Sequence, residues 1–87
     1  MANYKLRFKK SVAKDLRNIP TKDIQRILVQ IDLLAKDPRA EGCVKLSSQQ
    51  QYRVRVGLSR IIYEIQDAAL VVQVVKVGHR SNVYKGK

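Results

Sequence analysis

Between residues 51 and 78 the chain carries three β-patterned runs, QYRVRVG (51–57), SRIIYEI (59–65) and ALVVQVVKVG (69–78). They meet at Gly57-Leu58 and at residues 66–68, connections too short to cross to a parallel partner, so the three runs must form an antiparallel meander. In QYRVRV the period of two sets Tyr52, Val54 and Val56 against Gln51, Arg53 and Arg55, one face apolar and the other cationic. ALVVQVVKV is apolar on both faces apart from Gln73 and Lys76, the pattern of a central strand with helices over one side. The helices belong on the Val54 side, which leaves Arg53 and Arg55 on an open face.

The first forty residues supply those helices. NYKLRF (3–8) alternates Tyr4, Leu6 and Phe8 against Lys5 and Arg7, the period of a strand with one buried face. SVAKDLRNI (11–19) then places Val12, Leu16 and Ile19 at helical spacing, with Ser11 as the expected N-cap and Pro20 as the break. From 21 to 37 the apolar positions Ile24, Ile27, Leu28, Ile31, Leu34 and Ala35 recur at three and four residues, and Asp37-Pro38 stops the helix. Its other side mixes Lys22, Arg26 and Lys36 with Asp23 and Asp32, a solvated face. Two helices joined by one short turn form an αα-hairpin. RAEGCVKLSSQQQ (39–51) reads as a loop in which CVKL makes a short extended pairing. The expected fold is therefore α+β: a helical hairpin packed on one face of a mainly antiparallel sheet, in the order β-α-α-β-β-β, as one domain over residues 1–87.

Eighteen Lys and Arg against seven Asp and Glu give a net charge of +11, which bears on partners rather than fold. The excess is spread along the chain, and a polyanion is the first candidate partner, against the alternative of a charged, solvated surface. Cys43 is the only cysteine, so neither an internal disulfide nor a cysteine-based metal or redox pair can form. Charges at Lys5, Arg7, Lys9 and Lys10 fall where a signal peptide needs apolar residues, and no run is long enough to span a membrane. A soluble cytoplasmic protein is expected.

Arg53 and Arg55 project from one strand, Arg60 opens the next, and Arg80 follows the third. Four guanidinium groups repel one another unless an anion sits among them or carboxylates such as Glu64 and Asp67 pair with them. There is no glycine-rich loop for a nucleotide, no acidic pair for magnesium and no metal-ligand spacing around His79. RNA fits better, because its own 2′-hydroxyl can attack the adjacent phosphate once a group takes its proton and cations stabilise the phosphorane. A histidine is the ordinary proton carrier near neutral pH, but strand alternation turns His79 away from the face that Arg80 would share. Tyr84, four residues beyond Arg80, can share that face and stack on a base. Arginines around its phenol would favour the anion. Lys76, His79 and Lys85 are further candidate substrate contacts.

YRVRVGLSRIIYEI, the short QDAALVV connection and VVKVGHRSNVYK closely resemble the RelE family of bacterial toxins, within the RelE/ParE superfamily. The resemblance extends to FKKSVAKDLRNIP and the second helix. It implies a small α+β microbial-ribonuclease fold and a ribosome-dependent endoribonuclease that cuts messenger RNA in the ribosomal A site. It also implies a reaction without metal or cofactor and control by an acidic, RelB-like antitoxin through which operator DNA would be reached. By position, the family's catalytic cations fall on Arg53, Arg55, Arg60 and Arg80, and its late tyrosine on Tyr84. Some relatives carry lysines where this chain has Arg53 and Arg55. Arginine scarcely gives up a proton, so those positions are expected to stabilise charge rather than move protons. Two other functions suit the same scaffold: a ParE-like inhibitor of DNA gyrase, and a non-catalytic binder of RNA or the ribosome.

Overall fold

The computed structural model describes residues 3–39, 42–46 and 51–79. Strand β1 (Lys5–Phe8) leads directly into helix α1 (Lys10–Arg17), and α2 (Thr21–Lys36) follows after a three-residue link. The helix start differs from the expectation of Ser11 as N-cap: Lys9, extended at φ −70° and ψ 152°, holds that position, and no side chain caps the helix. Lys9 N–H donates to the Val74 carbonyl at 3.0 Å, so the chain stays tied to the sheet until Lys9 and turns into the helix at once. Ser11 lies inside the first turn. At the far end of α2, Asp37 takes an extended conformation (φ −150°, ψ 87°), as a residue before proline must, and the helix stops at Lys36.

The sheet has five strands in the order β1-β5-β4-β3-β2. Strands β3 (Gln51–Val56), β4 (Ser59–Gln66) and β5 (Val71–His79) form the meander, and β1 joins the outside of β5 in parallel. The CVKL segment contributes a two-residue strand, β2 (Val44–Lys45), antiparallel to β3, which lengthens the expected order by one element. Gly57 has a positive φ of 59° at the first central position of the β3–β4 hairpin, where a side chain would be strained. The next connection is a 3-10 turn, Asp67–Ala69, followed by Leu70 at φ 53°, so the last strand begins at Val71 rather than Ala69.

Both helices cover one face. Val12, Ile27, Ile31 and Leu34 meet Tyr52, Val54, Ile61, Tyr63, Ile65, Val72, Val74 and Val77 in a continuous core. Tyr4 and Leu6 pack against it from β1, but Phe8 is 47% exposed, because the strand ends there and the chain leaves for α1. Tyr52 and Tyr63 stack with ring centroids 5.9 Å apart, and the Tyr63 hydroxyl donates to the Pro38 carbonyl at 2.7 Å. Arg39 then reaches Asp67 through two bonds of 2.8 and 3.0 Å, and Tyr4 donates to the same carboxylate at 2.9 Å. These contacts join the end of α2 to the β4–β5 turn. They also commit Asp67 to Arg39, so it does not neutralise the arginines of the open face. No helix among the described residues is long and apolar enough to cross a membrane.

Candidate active site

The open face of the meander is built by strand alternation. Tyr52 and Val54 are buried in β3, as are Ile61, Tyr63 and Ile65 in β4, so Arg53, Arg55, Arg60, Ile62 and Glu64 point the other way. Register then sets their rows: Arg55 lies opposite Arg60, and Ile62 lies between Arg53 on β3 and Lys76 on β5. Four cations thus occupy two adjacent rows. Directly opposed side chains of an antiparallel pair have Cβ atoms about 5 Å apart, and like charges there are unfavourable.

A bulge places Lys76 on this face. The register between β4 and β5 shifts at Ile62/Tyr63: Glu64 pairs with Gln73 and Ile62 with Lys76, three residues of β5 against two of β4. Strict alternation would have sent residues 73 and 76 to opposite sides. The extra residue re-aims everything that follows, a common role of bulges beside functional sites. Gly78 then falls on the open face opposite Arg60, while His79 turns to the helix side opposite Ser59.

In the next row, between Gln51 and Gln73, Glu64 is the one carboxylate among the described residues of this face, and it accepts a hydrogen bond from Gln51 Nε2 at 3.1 Å rather than from an arginine. Among the described residues, the ion pairs present are Arg39 with Asp67 and His79 with Asp23, so Arg53, Arg55 and Arg60 are unneutralised. The sequence alternative in which Glu64 and Asp67 pair with the arginines does not hold here. Beside Arg60, the end of β5, Asp15 of α1 and Asn18 just after that helix line a cleft of about 250 Å³.

His79 lies behind this face. It is 6% exposed, and its Nε2 stands 3.0 Å from Asp23 Oδ2 at the start of α2. Asp15 Oδ2 of α1 accepts the Val77 N–H at 3.2 Å, at the stretch of β5 that extends beyond its pairing with β1. One carboxylate from each helix therefore fixes the end of β5. The structure places Arg53, Arg55, Arg60 and Lys76 on one face and turns His79 to the other, although His79 lines the cleft at the end of β5 with Arg60 and Lys76; Arg80, Tyr84 and Lys85 lie outside the described residues. The sequence gives Lys76 only a minor place, offers Glu64 only as a partner for the arginines, and carries no signal for Asp15. The signal for Lys76 was the three-residue interval from Gln73 within an apolar strand, which only a bulge can put on one face.

Chemically, the face can bind a phosphodiester and hold the charge that develops on it. Guanidinium groups are fixed cations with five donors each and no acceptor. Among the described residues, no three His, Cys, Asp or Glu side chains gather closely enough to hold a metal ion.

A family model described as the ParE toxin of the type II toxin-antitoxin system parDE matches residues 6–84. Among solved structures, the chain is similar to RelE in the archaeal RelE-RelB complex from Pyrococcus horikoshii OT3, at 27% identity and a TM-score of 0.80, covering 90% of this chain and 96% of that one. It is similar to the isolated E. coli RelE toxin at 26% identity and a TM-score of 0.77, covering 95% and 93%. The RelBE2 toxin-antitoxin complex of Mycobacterium tuberculosis matches at 25% identity and a TM-score of 0.76, covering 91% and 100%. No curated protein matches the chain in sequence.

Proposed function

The chain belongs to the ParE toxin family of type II toxin-antitoxin systems, within the RelE/ParE superfamily, and we propose that it is a toxin of the RNA-cleaving kind, a ribosome-dependent endoribonuclease. The observation that carries this reading is the row arrangement of Arg53, Arg55, Arg60 and Lys76 on an open face whose one carboxylate among the described residues is bonded to Gln51. Such a face is stable when a polyanion covers it and suits the doubly charged phosphorane of RNA transesterification. Arg53, Arg55 and Arg60 bind the scissile phosphate and stabilise that charge. Arg80 completes the cationic set, and Tyr84 stacks on the substrate base or assists at the 2′-hydroxyl. Each such donor contributes roughly 10² to 10³ in rate. The products are a 2′,3′-cyclic phosphate or 3′-phosphate and a 5′-hydroxyl, and the reaction needs no metal or cofactor.

The substrate is messenger RNA in the ribosomal A site, which places the protein in the cytoplasm. Its partner is an antitoxin, as in the RelE-RelB complexes it is similar to, and the net charge of +11 calls for an acidic contact surface on that antitoxin, which also binds any operator DNA. Primer extension on messenger RNA after induced synthesis tests this. Cuts at A-site codons are expected with the wild type, and much weaker cutting with Arg80→Ala and Tyr84→Phe; absence of wild-type cuts refutes the reading.

The ParE description of the matching family favours one alternative, inhibition of DNA gyrase without RNA cleavage. A supercoiling assay separates the two: gyrase inhibition with intact messenger RNA would select this alternative.

A further inference from the structure

We propose that Glu64 is the catalytic proton acceptor for the 2′-hydroxyl, an inference that rests on the RNA-cleaving reading above. The reaction requires a base, and the described residues of the open face offer few; with Glu64 in that role, the part left to Tyr84 is stacking on the substrate base. Arginine and protonated lysine have no acceptor site, and the amides of Gln51 and Gln73 are not bases. His79 lies on the opposite side of β5, bonded to Asp23. Among the described residues of this face, Glu64 alone presents a carboxylate.

Its position matches an in-line displacement. Arg60, Ile62 and Glu64 follow one another on the same face of β4 at steps of about 7 Å. Ile62, half-buried and flanked by Arg53 and Lys76, forms the floor between them. A phosphate seated over Ile62 has cations on both flanks, Glu64 on one side along the strand and Arg60 on the other. Attack by the 2′-oxygen from the Glu64 side expels the 5′-oxygen toward Arg60, whose charge stabilises the departing alkoxide. Gln51 Nε2 donates to Glu64 Oε2 at 3.1 Å, which orients the carboxylate and leaves Oε1 for the hydroxyl. The groups that face Glu64 are Gln51 on β3 and Gln73 on β5 in its own row, Arg53 and Lys76 one row away, and Arg7 of β1 beyond Gln73. None of these cations forms an ion pair with it.

The step balances without a co-reactant. Glu64 takes the 2′-hydroxyl proton as the bond from the 2′-oxygen to phosphorus forms. The bond from phosphorus to the 5′-oxygen breaks, and that oxygen takes a proton from water. The Glu64 carboxyl returns its proton to solvent, leaving a 2′,3′-cyclic phosphate and a 5′-hydroxyl.

The test is single-turnover cleavage of messenger RNA on programmed ribosomes, with the toxin saturating, across a pH series. Glu64→Gln keeps the shape and the bond to Gln51. It should cleave about 10² to 10⁴ more slowly than the wild type, with ribosome affinity unchanged. Its residual rate should climb about tenfold per pH unit as hydroxide replaces the missing base, whereas Glu64→Asp should keep a substantial part of the activity. Glu64→Ala, assayed with added formate as a replacement carboxylate, should recover rate, which guards against a loss caused by misfolding. A wild type that cleaves beside an equally active Glu64→Gln, or a Glu64→Ala that formate does not rescue, overturns the role of Glu64 and leaves the ribonuclease reading standing. A wild type that cleaves nothing removes both.

Discussion

The side chain of Arg60 lies across Gly78 of the neighbouring strand: a methyl group at position 78 would meet Arg60 Nε at 3.5 Å and Cγ at 3.7 Å. The two residues are paired in register, so the absent side chain of Gly78 is the space that Arg60 occupies on its way to the cleft at the end of β5. Gly78 has no positive φ, and its importance is therefore room rather than backbone freedom.

Gly78→Ala should be tolerated, since 3.5 Å is ordinary contact, while Gly78→Val should push the guanidinium off its path. A displacement of about 1 Å in a catalytic group can lower a rate by about 10², so Gly78→Val should cleave RNA at least tenfold more slowly, by roughly that argument. Folding stability should stay level or rise, because a β-branched residue suits a strand by up to about 1 kcal/mol. Cleavage assays beside thermal unfolding check both halves. Loss of stability parallel to loss of cleavage would show that Gly78 matters for the fold instead.

The contact between His79 and Asp23 should be structural. Removing one partner of a buried hydrogen-bonded pair costs about 1 to 3 kcal/mol. His79→Ala should lower unfolding stability by that order, and Asp23→Asn should lower it less, since Asp23 is the more exposed partner. Denaturant unfolding of both single variants and the double variant measures the coupling. Additive effects would mean that the two side chains do not depend on each other.

Acid should weaken the link between α2 and the β4–β5 turn. Hydrogen bonds from Arg39, and then from Tyr4, hold the Asp67 carboxyl below the usual carboxylate range. A carboxyl lowered on folding contributes stability that is complete above its unfolded value, about 3.9 for aspartate, and is lost as pH falls through the folded value. The stability difference between the wild type and Asp67→Asn should therefore be present at neutral pH and vanish under strong acid. The pair is exposed, so salt should also reduce it. A difference that persists in strong acid would contradict this account.

Most of the fold can be read from periodicity. The meander, the helix pair and the separation of Arg53 and Arg55 from Val54 follow from periods of two and 3.6 with very short connections. Misjudged details lie where tertiary contacts overrule local preference. Ser11 is the better cap by side chain, but the bond from Lys9 to Val74 starts the helix earlier. Phe8 continues an apolar alternation, yet the chain leaves the sheet at that residue. The candidate site was partly legible: alternation grouped the β3 arginines, whereas the side on which His79 falls depends on the bulge before it. The bulge that brings Lys76 beside Ile62 was not, since it shows in register rather than in residue type. Asp67, a candidate partner for the arginines by charge, is claimed by Arg39 through the chain's path after α2, which no short-range pattern reveals.

The most direct measurement of the central claim is cleavage of a defined messenger RNA on purified ribosomes by the wild type and by Arg60→Ala, with unfolding curves for both. The account predicts A-site cuts by the wild type, a rate roughly 10² to 10³ lower for Arg60→Ala, and unfolding midpoints that agree. Intact RNA with the wild type, or equal cutting by a well-folded Arg60→Ala, would contradict it.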